Sequence, residues 1–86
     1  MAQDKIKVIE LSMTPAQCRA ARAMIGLSQD DLVAASGVAK ATVAAFELGQ
    51  RKPYESTLGK LRAALEAAGV EFLPENGGGA GVRLRK

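Results

Sequence analysis

The apolar positions of this chain fall into short runs separated by glycine, and the clearest run is residues 29–46, QDDLVAASGVAKATVAAF. Leu32 falls in one short helix, Gly37 and Val38 in a turn, and Val43 and Phe46 in a second helix. At helical spacing Leu32, Val38, Val43 and Phe46 all point to one side and hold the two helices at a steep angle. A pair joined in this way presents its second helix outward. The rest of the chain reads as support for this unit or as an addition to it.

Upstream, Thr14, Pro15 and Gln17 make a helix start. Thr14 caps, Pro15 suits the first helical position, and Gln17 reaches back as in a capping box. This helix runs to about Ile25, with Cys18, Ala21 and Ile25 on one face and Gly26 as its end. Ser28 caps the next helix, which carries Asp30 and Asp31 in its first turn, where negative charge suits the dipole. Gly37 ends it in a left-handed conformation. The following helix covers about residues 39–48 and stops at Gly49, before the basic loop Gln50, Arg51, Lys52, Pro53. A fourth helix starts near Ser56 and runs to Ala68, with Leu58, Leu61, Leu65 and Ala68 as its buried stripe and Gly69 as its stop.

Beyond Gly69 the period shortens to two. Residues 70–73 (VEFL) and 82–85 (VRLR) read as strands, joined by a glycine-rich loop at 74–81. Residues 6–11 (IKVIEL) predict a short strand, with an extended arm as the alternative. An isolated hairpin is only marginally stable in water. It must pack on the helices, pair with residues 6–11, or pair with a second copy of the chain.

A length of 86 residues suits one small domain. The expected class is mainly α: a compact domain of four to five helices, a C-terminal β-hairpin and a possible short N-terminal strand. The division is 1–13 arm or strand, 14–69 helical domain, and 70–86 hairpin, the last a possible dimerisation element. The abundant Ala and the few aromatics, two Phe and one Tyr, imply thin helices packed closely. The net charge of +3 is compatible with a polyanionic partner. Cys18 is the only cysteine, so no intrachain disulfide forms. With no signal-like start and no apolar run of about 20 residues, the expectation is a cytoplasmic protein without a membrane span. The absence of His removes His-based triads and His-ligated metals. Gly77, Gly78, Gly79 and Gly81 precede no helix and no Gly-Lys-Ser/Thr, so they read as a hairpin tip and not a phosphate loop. No enzyme activity, cofactor or metal is expected.

Residues 18–68 resemble the phage-repressor (Cro-like, XRE) helix–turn–helix family. The resemblance rests on Arg22, Gly26-Leu27-Ser28-Gln29, Leu32, Ser36-Gly37-Val38, Thr42-Val43, Phe46-Glu47, Gly49 and Pro53, followed by the Leu58/Leu61 helix. It implies a DNA-binding domain, usually dimeric, acting in transcriptional control. The ending GVRLRK also resembles the tail of small bacterial regulators of this type. By position, Gln29 would meet a phosphate or a base. The recognition helix, opening at Ala39, would offer Lys40, Ala41, Thr42, Ala44 and Ala45 to the major groove. Lys40 would donate to guanine O6/N7, Thr42 would bond a phosphate or touch a thymine methyl, and the alanines would make apolar contact. Arg51 and Lys52 would lie against the phosphate backbone. Val70, Phe72, Val82 and Leu84 of the hairpin are the candidate homodimer surface.

Two positions depart from the family pattern. Ala39 stands where members often carry a capping Ser or Asn, a loss of about 1 kcal/mol. Val33 stands where a small Ala is common. The groove-facing positions are also poor in polar side chains. Each candidate has a plainer reading. Lys40, Arg51 and Lys52 are then solvated charges, Thr42 bonds a backbone carbonyl, and Gln29 only starts a helix. Arg22 pairs with Glu47 or another acid, Arg83, Arg85 and Lys86 protect a strand edge, and Cys18 is a small buried hydrophobe. Two functional classes stay open. One is a homodimeric repressor of double-stranded DNA acting at an inverted repeat. The other is a protein-interaction module of the same fold, an antiactivator or antitoxin with a protein partner.

Overall fold

In the computed structural model, which describes residues 13–85, four helices are followed by an antiparallel hairpin. The helices are α1 (Pro15–Ile25), α2 (Gln29–Ser36), α3 (Lys40–Glu47) and α4 (Glu55–Ala67). The strands are β1 (Val70–Leu73) and β2 (Gly81–Leu84). The strand expected at residues 6–11 lies outside the described residues, as does Lys86.

Side chains that satisfy the first turns set the helix starts. Thr14 Oγ1 accepts from the Gln17 N–H at 3.0 Å, and Gln17 Oε1 accepts from the Thr14 N–H at 2.9 Å. Ser28 and Asp31 repeat this reciprocal pattern at 2.9 and 3.0 Å. Gly26 and Gly37 end α1 and α2 at φ +72° and +77°, a region that residues with a Cβ rarely adopt. By contrast α3 and α4 begin without a side-chain cap.

One apolar cluster joins every element. Leu32 of α2, Val43 and Phe46 of α3, Leu58, Leu61 and Leu65 of α4, and Val70 and Phe72 of β1 are buried together with Met13, Cys18, Ala21 and Val38. Val33, the larger residue at a usual alanine position, packs half-buried against this cluster. Ala68 does not belong to it. It lies on the same helical stripe as Leu61, but it follows the last turn of α4 as the C-cap and is exposed there.

Packing on α1 and α4 supports the hairpin. Its register pairs Val70 with Leu84, Phe72 with Val82 and Leu73 with Gly81. Thus β2 begins at Gly81 and ends at Leu84, one residue earlier than the alternation of 82–85 predicts. A glycine has no side chain to carry that signal. Gln17 fastens this end of the sheet: its Nε2 donates to the Gly81 carbonyl at 2.8 Å and to the Leu73 carbonyl at 3.4 Å. The Arg62 guanidinium lies 5.1 Å over the Phe72 ring and ties α4 to β1.

Candidate nucleic-acid interface

The turn between α2 and α3 is short and well held. Ser36 Oγ accepts from the Val38 N–H at 3.2 Å, and the Val38 side chain drops into the core. Leu32 and Val43 are fully buried in the same apolar cluster, which holds α3 against α2.

Glu47 completes the anchoring. It is the last residue of α3 and is only 2% exposed, yet both carboxylate oxygens are satisfied. Oε1 accepts from Arg22 Nη2 at 2.7 Å and from Gln29 Nε2 at 3.0 Å. Oε2 accepts from Arg22 Nε at 2.8 Å and from Cys18 Sγ at 3.0 Å. Arg22 Nη1 donates onward to the Leu27 carbonyl at 3.0 Å, and Arg19 donates to the Glu47 carbonyl. This single carboxylate therefore links α1, α2 and α3. Burial alone would raise its pKa, but the hydrogen bonds from Arg22, Gln29 and Cys18 and the charge of Arg22 outweigh that and hold it at about 2. Burial, then the Glu47 carboxylate, pushes the Cys18 thiol well above its ordinary range, so it stays protonated and donates. The pairing of Arg22 with Glu47 was legible in the sequence, whereas the arrival of Gln29 and Cys18 at the same carboxylate was not.

The other side of α3 faces away from the core. Ala39, Lys40 and Ala41 are exposed, and Thr42, Ala44 and Ala45 are half-buried. Ala39 adopts the extended conformation of a cap, φ −61° and ψ 144°, but makes no side-chain capping bond. Lys40 Nζ lies 2.7 Å from Asp30 Oδ1, an exposed ion pair between the starts of α3 and α2. Gln29 sits half-buried at the α2 N-terminus with one amide N–H given to Glu47. Arg51 and Lys52 are exposed in the loop beyond the far end of α3, a helix about 12 Å long that Lys40 opens. They line the mouth of a groove of about 620 Å³ floored by Phe46, Leu58 and Phe72.

Leu48 and Tyr54 are large exposed side chains, 71% and 85% accessible, flanking the basic loop. Neither stands out in the sequence, because a helix-end Leu reads as core. The four hairpin residues divide. Val70 and Phe72 belong to the protomer core, Val82 is half-buried against it, and Leu84 is 51% exposed.

A family model described as Helix-turn-helix matches residues 19–72, from the middle of α1 into β1. The chain belongs to the Cro-like (XRE) helix–turn–helix family. No curated protein gives a significant match. In helix–turn–helix terms, α2 and α3 are the two helices of the motif, and α1 and α4 pack around them. The family is one of DNA-binding regulators. Among the described residues, no helix is long and apolar enough to cross a membrane.

Proposed function

We propose that this chain is a sequence-specific regulator of double-stranded DNA, a homodimeric repressor that lays α3 in the major groove at each half of an inverted repeat. One observation carries the reading. In a helix–turn–helix match over residues 19–72, the inner residues of α3 are locked into the core while Lys40, Ala41, Thr42, Ala44 and Ala45 occupy its outer face. Lys40 then addresses a guanine edge. Thr42 and the alanines meet thymine methyls, and sequence-dependent DNA shape adds to so sparse a code. The second amide N–H of Gln29, aimed by the bond to Glu47, meets a phosphate. Arg51 and Lys52 take further phosphates beyond α3.

The dimer surface in this reading is the exposed β2 margin of the hairpin, where Val82 and Leu84 lie on the same sheet face as their cross-strand partners Phe72 and Val70. Val70 and Phe72 are occupied within the protomer, so Val82, Leu84 and the β2 edge make the contact and Val70 and Phe72 support it from inside. Repression follows from occupying the site of the polymerase.

Selection from a randomised duplex pool with purified protein at near-physiological salt tests this. Enrichment of a two-fold-symmetric site supports it. Lys40→Ala should then lose about 1–3 kcal/mol at one base position of each half-site. A pool that emerges unenriched rejects it. One observation favours a second reading. Ala41, Ala45 and the exposed Leu48 line one face of α3 at helical spacing, a strip suited to a protein partner. An unenriched pool together with a co-purifying protein that shields α3 from hydrogen exchange would favour it.

A further inference from the structure

We infer that Asp30 is a specificity-determining residue: by holding Lys40, it lets that cation serve a base edge while denying it to the phosphate backbone. The inference rests on the DNA-binding reading above and concerns how that same surface discriminates.

Asp30 brings favourable negative charge to the first turn of α2, but its carboxylate takes no part in the capping box there. Asp31, its neighbour, closes the capping box with Ser28, and its carboxyl is held below the ordinary range by the hydrogen bond from the Ser28 backbone. Asp30 instead crosses from α2 to α3, where its Oδ1 stands 2.7 Å from Lys40 Nζ. Lys40 is the first residue of α3, the end at which aligned peptide dipoles disfavour a cation, and Ala39 before it supplies no side-chain acceptor. The charge of Lys40 is therefore compensated from the neighbouring helix. The pair stays accessible, with side chains 56% and 74% exposed for Lys40 and Asp30.

An ammonium has three N–H donors, and Asp30 takes one. Two remain for the O6 and N7 acceptors of a guanine, which are uncharged and can be met without expelling the carboxylate. A phosphate differs. It is attracted by Lys40 and repelled by Asp30, so the pair presents no net charge and releases no counterion. Non-specific binding depends on that release, whereas base readout does not. Asp30 thus lowers binding to random DNA more than binding to the operator.

The test titrates random duplex and the selected operator with wild type and Asp30→Asn across about 50 to 200 mM salt. Asp30→Asn should tighten binding to random DNA roughly fivefold per bound protomer and steepen its salt slope by about 0.9. Operator affinity should rise less, so the operator-to-random ratio falls. In the Lys40→Ala background, Asp30→Asn should leave the ratio unchanged, since the effect acts through Lys40. An unaltered ratio in the single variant, or equal tightening on both DNAs, overturns the inference while wild-type operator binding still stands. If wild type itself shows no operator preference, the DNA-binding reading fails and takes this inference with it.

Discussion

On its inner face α3 sets Val43, Phe46 and Glu47 against α1, α2 and the core, and Glu47 alone accepts hydrogen bonds from three side chains. On its outer face the same helix carries one charged residue, one hydroxyl and three alanines. The inner face fixes position and the outer face supplies little chemistry. The contrast is physically coherent. Methyl and methylene contacts lose much of their attraction over a gap of 0.5–1 Å, so a reader built from short side chains needs an accurately placed backbone. In the proposed function a base contact made through Ala44 would not tolerate a loosely held helix, as one made through a long, flexible side chain would.

The sharpest way to break this comparison is Glu47→Ala. It leaves the Arg22 guanidinium, the Cys18 thiol and the Gln29 amide without their common acceptor in a nearly sealed site. Removing one partner of a buried ion pair costs about 3–5 kcal/mol, a large share of what holds a domain of this size. Urea unfolding at neutral pH should show that loss, whereas Ala44→Ser on the outer face should move stability by no more than about 0.5 kcal/mol. A Glu47→Ala loss below about 1 kcal/mol would remove the distinction between the faces.

Acid should weaken the same anchor. The Glu47 carboxyl sits at about 2 in the folded chain, below its ordinary value of 4.5. A depressed carboxyl stabilises the folded state fully above the unfolded pKa, and the contribution fades as pH falls from about 4.5 towards 2. The shift corresponds to something on the order of 3 kcal/mol. Urea midpoints measured at pH 7 and near pH 2.5 should diverge more in wild type than in Glu47→Gln, which has no charge to lose there. Equal acid sensitivity in the two would place the acid-labile stability elsewhere.

Local chemistry made much of this fold readable. Thr14 with Gln17, Ser28 with Asp31, and the glycines at 26, 37 and 69 act within a few residues of themselves, and all lie where their spacing implies. The buried leucines of α4 follow from the period of the helix. Long-range polar contacts were less legible. Periodicity assigns a Glu or an Asp to solvent, so neither the sealing of Glu47 among Cys18, Arg22 and Gln29 nor the reach of Asp30 to Lys40 leaves a local signal. Gln17 is the clearest case. Its capping role shows in four residues of sequence, while its bonds to Leu73 and Gly81 join positions 56 and 64 residues apart.

That second role of Gln17 sharpens the comparison at the other end of α1. Gln17→Ala removes half of a capping box and the donor to two carbonyls at the loop end of the hairpin. Each lost term is about 1 kcal/mol, so a total of roughly 1–2 kcal/mol is expected. Amide exchange should rise in β1 and β2 and stay slow in α2 and α3. Acceleration spread evenly over the molecule would mean that the hairpin and the motif open together.

The smallest effect concerns the start of α3, which no side chain caps. Ala39 already has the backbone conformation of a cap and is exposed, so Ala39→Ser can accept from the first-turn N–H groups of α3 without repacking. A gain of about 0.5–1 kcal/mol should follow, visible as a melting temperature higher by a few degrees. Stability and binding should then separate. The N–H groups that a serine hydroxyl satisfies are those a phosphate would meet at the N-terminus of the recognition helix. Operator affinity, measured on the same preparation, should stay level or fall despite the firmer helix. If it rises with stability instead, α3 was limited by its positioning even with Glu47 in place, and the inner face secures less than its hydrogen bonds suggest.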